Sequence, residues 1–197
     1  LNHFGLSFAR EYIKSGLLEE GRKLLIIRAA VGATGFLDNR WKMEDDLYLH
    51  MMEMIRRALS LNKENRLIGL FWHQGETDVY EKASYEVHYG HLMQLLRSVR
   101  KEFCVPQLPF IAGDFTQLWK KEYLEISKPV AEAIRAVCND CGAGAFVETE
   151  GEIADHTSAN EKIVPCFFTK EEVVTLLETE EFSSRSQMAA YYFSLGM

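Results

Sequence analysis

Little in this chain points to a stapled, membrane-spanning or polyanion-binding protein. Four cysteines are spread over 197 residues, too few and too scattered to frame a fold of this length. Only Cys138 and Cys141 share a C-x-x-C spacing, and they stand near the end of an expected helix. A redox pair belongs at a helix start, where the dipole lowers the thiol pKa, and no second ligand pair is present for zinc. Basic residues are in the minority, 22 Lys and Arg against 29 Asp and Glu, for a net charge of −7. With no basic cluster longer than Arg56-Arg57 and Lys120-Lys121, a nucleic-acid or anionic-membrane surface is disfavoured, and neutral or weakly charged substrates fit better. The composition leaves no excess of apolar residues for a membrane span. Repeats and low-complexity tracts are absent as well. The chain opens on Leu1 rather than methionine and enters a helical pattern, Phe4 to Tyr12, almost at once. An upstream segment is therefore expected, and the lack of a leader says nothing about compartment or localisation.

What is present suits one α/β core. Hydrophobic residues make up 47% of the chain and charged residues 26%, enough for a single domain over 1–197. Strand and helix patterns alternate: a strand at Leu24 to Ala30, a helix from Asp45 to Leu61, a strand at Leu67 to Phe71, and a helix from Ser84 to Phe103 with Leu92, Leu95, Leu96 and Val99 on one stripe. A strand at Leu108 to Ala112, a helical stretch around Trp119, a helix opening at Pro129 and a strand at Ala145 to Glu148 follow. Such alternation predicts a mostly parallel central sheet flanked by helices. Beyond it, Gly151 to Lys162 reads as a long polar loop, Thr169 to Glu172 as a capping box, and Ser183 to Phe193 as a final helix.

Two strand ends carry the chemistry. Leu67-Ile68-Gly69-Leu70-Phe71, a run without polar alternation, suits a strand covered on both faces, and it empties into Trp72-His73-Gln74-Gly75-Glu76-Thr77-Asp78. Open α/β sheets hold ligands just beyond such carboxyl ends. The bland alternative is a loop in which Gln74 and Glu76 satisfy backbone groups and cap the next helix. The other strand ends in Gly32-Ala33-Thr34-Gly35, where small residues let backbone N–H groups approach a ligand, as an oxyanion turn requires, or simply form a turn.

Together these segments resemble the SGNH-type carbohydrate esterases, in the branch of the sialate O-acetylesterase domain and the related acetylxylan esterases. The family's AVGGTS-type turn is met as Ala30-Val31-Gly32-Ala33-Thr34-Gly35, with Trp41 a few residues on. Its WHQGESD motif is met as Trp72 to Asp78, and it is the specific part of the match. Pro109 to Phe115 resembles the fourth strand and its exit loop, and Phe182 to Gln187 the opening of the last helix. The resemblance implies a flavodoxin-like three-layer fold of strand order 2-1-3-4-5. The first strand, which in the family ends in a GQSN-type motif bearing the nucleophilic serine, is expected to be missing here. A slot is then expected between the strands at Leu25 to Ala30 and Leu67 to Phe71, left open or closed at some cost in packing.

The activity implied is hydrolysis of an O-acetyl ester on a sugar by serine-hydrolase chemistry, with an acetylated carbohydrate as substrate and no cofactor. Gln74 is the implied side-chain amide donor to the oxyanion, and the turn amide at Gly32 or Ala33 the second. Trp72, His73, Gly75 and Glu76 are candidates for substrate binding or loop ordering; His73 reads better as a packing histidine than as a catalyst, and Glu76 as a loop-ordering partner than as the acid. The family's D-x-x-H-F stands here as Glu178-Thr179-Glu180-Glu181-Phe182, so Glu178 and Glu181 replace the acid and the histidine. A carboxylate is a poor proton shuttle for serine near neutral pH. Asp155-His156 is the candidate replacement pair, with a solvated surface histidine as the alternative. Ser7, in Gly5-Leu6-Ser7-Phe8-Ala9, lacks the strand and the last glycine of a nucleophile elbow. Three functions stay open: an esterase with its oxyanion half present, a glycan- or partner-binding relative without turnover, and a lipase or acyl esterase on the same scaffold, kept in view by Phe167-Phe168.

Overall fold

A computed structural model of the chain describes residues 4–148 and 190–196. Its elements are, in order, α1 (Phe4–Lys14), β1 (Arg22–Arg28), α2 (Asp46–Ser60), β2 (Arg66–Trp72), α3 (Glu76–Tyr80), α4 (Tyr85–Glu102), β3 (Phe110–Gly113), α5 (Gln117–Glu122), α6 (Leu124–Asp140), β4 (Gly144–Val147) and β5 (Ala190–Gly196). The strands form one sheet in the order β1-β5-β2-β3-β4. β2, β3 and β4 are parallel, with Trp72 opposite Ala112 and Gly113 opposite Val147. β5 pairs antiparallel to both β1 and β2, so β1 also points the same way as β2.

Alternation along the strands sorts the two faces. Ile27, Leu70, Trp72, Phe110 and Ala112 join the main core, which α2 fills with Met51, Met52 and Ile55, α4 with Leu92, Leu95, Leu96 and Val99, and α6 with Val130, Ile134 and Val137. Leu24, Ile26, Ile68, Phe71 and Ile111 face the other way and meet α1 through Phe8 and Ala9, with the Phe8 ring edge-on to Phe71 at 4.5 Å. The helices are thus on both faces, as their amphipathic patterns require. α4 opens on Ser84, whose side chain accepts from the Val87 N–H at 3.3 Å. Near its end Arg100 donates to the Leu108 carbonyl at 2.7 Å and the Cys141 carbonyl at 2.6 Å, closing the start of β3 against the end of α6.

Three expectations change. The segment 190–193, expected in a final helix, lies in β5. Tyr191, Tyr192 and Phe193 are strand formers, and β1 and β2 each offer a row of N–H and C=O groups that a helix would leave unpaired. The expected slot between those strands is therefore occupied: Leu25 faces Phe193 from one side and Leu70 faces Tyr191 from the other, with a bulge between Leu67 and Gly69. The helix expected to open at Pro129 begins at Leu124, with Pro129 inside it. The extra turn is held by the Ser127 N–H on the Tyr123 carbonyl at 2.9 Å, and Pro129 forgoes one ladder bond. The capping box at Thr169 to Glu172 lies outside the described residues, as does the rest of the expected final helix.

Candidate active site

The parallel strands β1, β2 and β3 end at one edge, and their exit loops meet there. The loop after β1 turns at Val31–Thr34, where Ala33 takes a left-handed φ of 57°. Thr34 is buried and its hydroxyl is committed twice, donating to the Val31 carbonyl at 2.7 Å and accepting from Trp41 Nε1 at 2.9 Å. Those two bonds fix the turn from within. Val31, Gly32 and Ala33 stand exposed at its tip, and the N–H groups of Gly32 and Ala33 make no hydrogen bond among the described residues.

The loop after β2 is shaped by a large side chain beneath it. Trp72 is 1% exposed, stacked on Phe36 at 5.5 Å and edge-on to Trp41 at 5.7 Å, so it is a core residue that cannot reach a ligand. Its Nε1 donates to the Gln74 carbonyl at 3.1 Å. The Gln74 side chain, 9% exposed, crosses to the first loop and donates from Nε2 to the Thr34 carbonyl at 2.6 Å. That bond uses one of two amide protons, and the buried Oε1 has no partner among the described residues. An orphaned buried acceptor is uncommon. Gly75 has no room for a side chain, since a Cβ there would stand 2.8 Å from Phe115 Cζ and 2.9 Å from Val130 Cγ1. Its N–H is received by Glu76 Oε2 at 3.1 Å, a contact within the loop. His73 leaves on another side, half-buried over Gly113, whose Cβ would stand 3.5 Å from the imidazole.

Two carboxylates that sequence reading did not single out complete the edge. Asp78 is fully buried in α3 and receives the N–H groups of Phe36 and Leu37 at 2.9 Å each. Its Oδ2 lies 3.3 Å from Nδ1 of the equally buried His88, off the line of a good hydrogen bond, so that contact is chiefly electrostatic. Burial pushes the Asp78 carboxyl up, but His88 and the two backbone N–H groups outweigh it and hold the group below the usual aspartate value. Asp114, at the end of β3, receives the Phe115 N–H at 2.8 Å and pairs with Lys120 of α5. Burial, then the charge of Lys42, lowers the pKa of His91, which stacks on Phe36 at 5.5 Å. The signal for Asp78 was its place in the motif; no sequence pattern marks His88, on a helix face otherwise apolar.

Gln74 and the Val31–Thr34 turn are thus brought together, whereas His73 faces elsewhere and Trp72 lies beneath. Asp155, His156, Glu178 and Glu181 lie outside the described residues. Among the described residues no group of three His, Cys, Asp or Glu side chains is placed to hold a metal ion. Cys138 and Cys141 are free thiols, and burial pushes Cys138 up to about 11, the opposite of a reactive cysteine. No helix among the described residues is long and apolar enough to cross a membrane.

A mostly parallel sheet with helices on both faces is an α/β arrangement. The family of carbohydrate esterases described as sialic acid-specific acetylesterases matches residues 3–161, and the chain belongs to it. The chain is 30% identical over 91 residues to the probable 9-O-acetyl-N-acetylneuraminic acid deacetylase of Escherichia coli (strain K12), across 43% of this chain and 28% of that relative. It therefore spans well under half the length of the curated relative it matches. The crystal structure of NanS is similar with a TM-score of 0.49 and 25% identity, covering 57% of this chain and 37% of that one.

Proposed function

We propose that this chain supplies the carbonyl-binding part of a carbohydrate O-acetylesterase site, with an O-acetylated sialic acid as the sugar. The observation that carries the reading is the Gln74 amide, tied at 2.6 Å to the Thr34 carbonyl beside two turn N–H groups that make no hydrogen bond among the described residues. In acyl transfer the carbonyl oxygen gains negative charge as a nucleophile adds to its carbon, and neutral N–H donors fixed in advance stabilise that charge without reorganising. Gln74 Nε2, with its second proton, and the N–H of Gly32 or Ala33 are those donors. Trp72, Gly75 and Glu76 hold the loop in place, the first from below, the second by leaving space and the third by accepting an N–H.

A second reading, binding without turnover, is favoured by a specific absence. The exit loops 29–38, 73–75 and 114–116 contain no serine, and Glu181 stands where the family motif has histidine. The proposal for these 197 residues is accordingly that they bind and polarise the acetyl group and do not hydrolyse it at an enzymatic rate. The test is acetate release from 9-O-acetyl-N-acetylneuraminic acid, measured together with binding by calorimetry. Binding of the acetylated sugar, lost in Gln74→Ala and unaccompanied by rapid acetate release, is the expected result. Rapid release by the wild-type chain, or equal binding by the Gln74→Ala variant, contradicts it.

A further inference from the structure

The carboxylate of Asp78 is fully buried and turned toward backbone, so it cannot itself meet a ligand. Its Oδ1 receives Phe36 N–H and Leu37 N–H at 2.9 Å, and its Oδ2 receives Phe36 N–H at 3.1 Å. These contacts reach 41 and 42 residues back along the chain, from α3 to the loop after β1. Gly35 admits the carboxylate only because it has no side chain, since its Cβ would stand 2.7 Å from Oδ1. Two anchors from one short segment therefore grip the same turn: Gln74 at the Thr34 carbonyl, and Asp78 at the next N–H groups but one. A buried charge is expensive, and an apolar side chain would fill the space more cheaply. What an apolar side chain cannot do is hold two N–H groups in a set direction.

We propose that Asp78, backed by His88, is the positioning residue of this site. By fixing the backbone at Phe36 and Leu37 it sets where the Thr34 carbonyl stands, and through that carbonyl it sets the direction of the Gln74 amide. The inference rests on the reading of Gln74 as the carbonyl donor, yet its central link, from Asp78 to the Gln74 amide, is observable without any ligand.

The test is nuclear magnetic resonance on the isotope-labelled 197-residue chain with Asp78→Asn, which keeps the shape and removes the charge. The Phe36 and Leu37 amide protons should move upfield, because hydrogen bonds to a charged acceptor are the stronger ones. The side-chain NH₂ of Gln74 should move with them, while Ile111 and Ala112 in β3 stay in place. Affinity for 9-O-acetyl-N-acetylneuraminic acid should fall roughly five- to tenfold, the effect of one misdirected hydrogen bond. His88→Gln leaves both N–H contacts intact and should move the same resonances by less, which keeps the question decidable if Asp78→Asn does not fold. Gln74 NH₂ resonances that stay fixed while Phe36 and Leu37 shift would overturn the proposal. Failure of the wild type to bind the sugar at all would instead defeat the functional reading, and the Gln74 resonances would still decide this one.

Discussion

Gly35→Ala should destabilise this chain far more than Gly32→Ala, three residues away in the same loop. A Cβ at position 35 would stand 2.7 Å from Asp78 Oδ1, 2.9 Å from its Cγ and 3.0 Å from Oδ2, closer than real Cβ contacts run. The carboxylate cannot yield freely, because it is fully buried and bonded to Phe36 and Leu37 at 2.9 Å each. Moving it by a few tenths of an ångström lengthens both bonds and worsens the contact with His88. Overpacking costs ~1–3 kcal/mol and weakening hydrogen bonds to a charged group adds a comparable amount, so a loss of about 2–4 kcal/mol is expected. At position 32 a Cβ meets nothing within 4 Å, and the change should stay within about 0.5 kcal/mol or stabilise slightly. Urea denaturation of both variants at neutral pH reads the difference, as a midpoint lower by roughly 1–2 M for Gly35→Ala at unchanged m-value. Equal midpoints for the two alanine variants would refute the argument that Asp78 and the loop are locked together.

The Asp78 carboxyl lies below its ordinary value in the folded chain, so its stabilising contribution is present above the unfolded value near 4 and is lost as pH falls through the folded value. Acid denaturation followed by circular dichroism should accordingly show a shallower loss of stability below pH ~4 for Asp78→Asn than for the wild type. Gln74→Glu sets a carboxylate oxygen against the Thr34 carbonyl where a 2.6 Å donor stood, and thermal unfolding should show a loss on the order of 2–3 kcal/mol. Truncation after residue 189 removes β5, and hydrogen exchange should then show lost protection along β1, while Leu70, whose N–H donates to the Pro109 carbonyl at 2.9 Å, and β3 keep theirs. Exposed Cys104 should react with a thiol reagent well before buried Cys138, and equal rates would show that α6 opens more readily than its packing implies.

Elements with strong periodicity were legible in the sequence. The helices now seen at Asp46–Ser60 and Tyr85–Glu102 differ from their patterns by one residue at each end, because their apolar stripes and the Ser84 cap leave little choice. The apolar run of β2 likewise announced a strand covered on both faces. Three things escaped, each decided by partners distant in sequence. Tyr191 to Phe193 carry an apolar pattern that suits a helix, and only the open edges of β1 and β2 make a strand the better use of it. Asp78 was only the last residue of the motif, with no role assigned, until the fold laid the Phe36 and Leu37 N–H groups against it. Trp72 was a candidate for substrate binding or for loop ordering, and the rings of Phe36 and Trp41, from a loop more than thirty residues earlier, close over it and leave it beneath the loop.

The central claim is that Gln74 and the Val31–Thr34 turn recognise the acetyl carbonyl itself. A titration of the isotope-labelled chain with 9-O-acetyl-N-acetylneuraminic acid and, in parallel, with the unacetylated sugar tests this most directly. The account predicts that the Gln74 side-chain NH₂ and the Gly32 and Ala33 amides shift with the acetylated sugar alone. Shifts of equal size with both sugars, or none at these three residues, would contradict it.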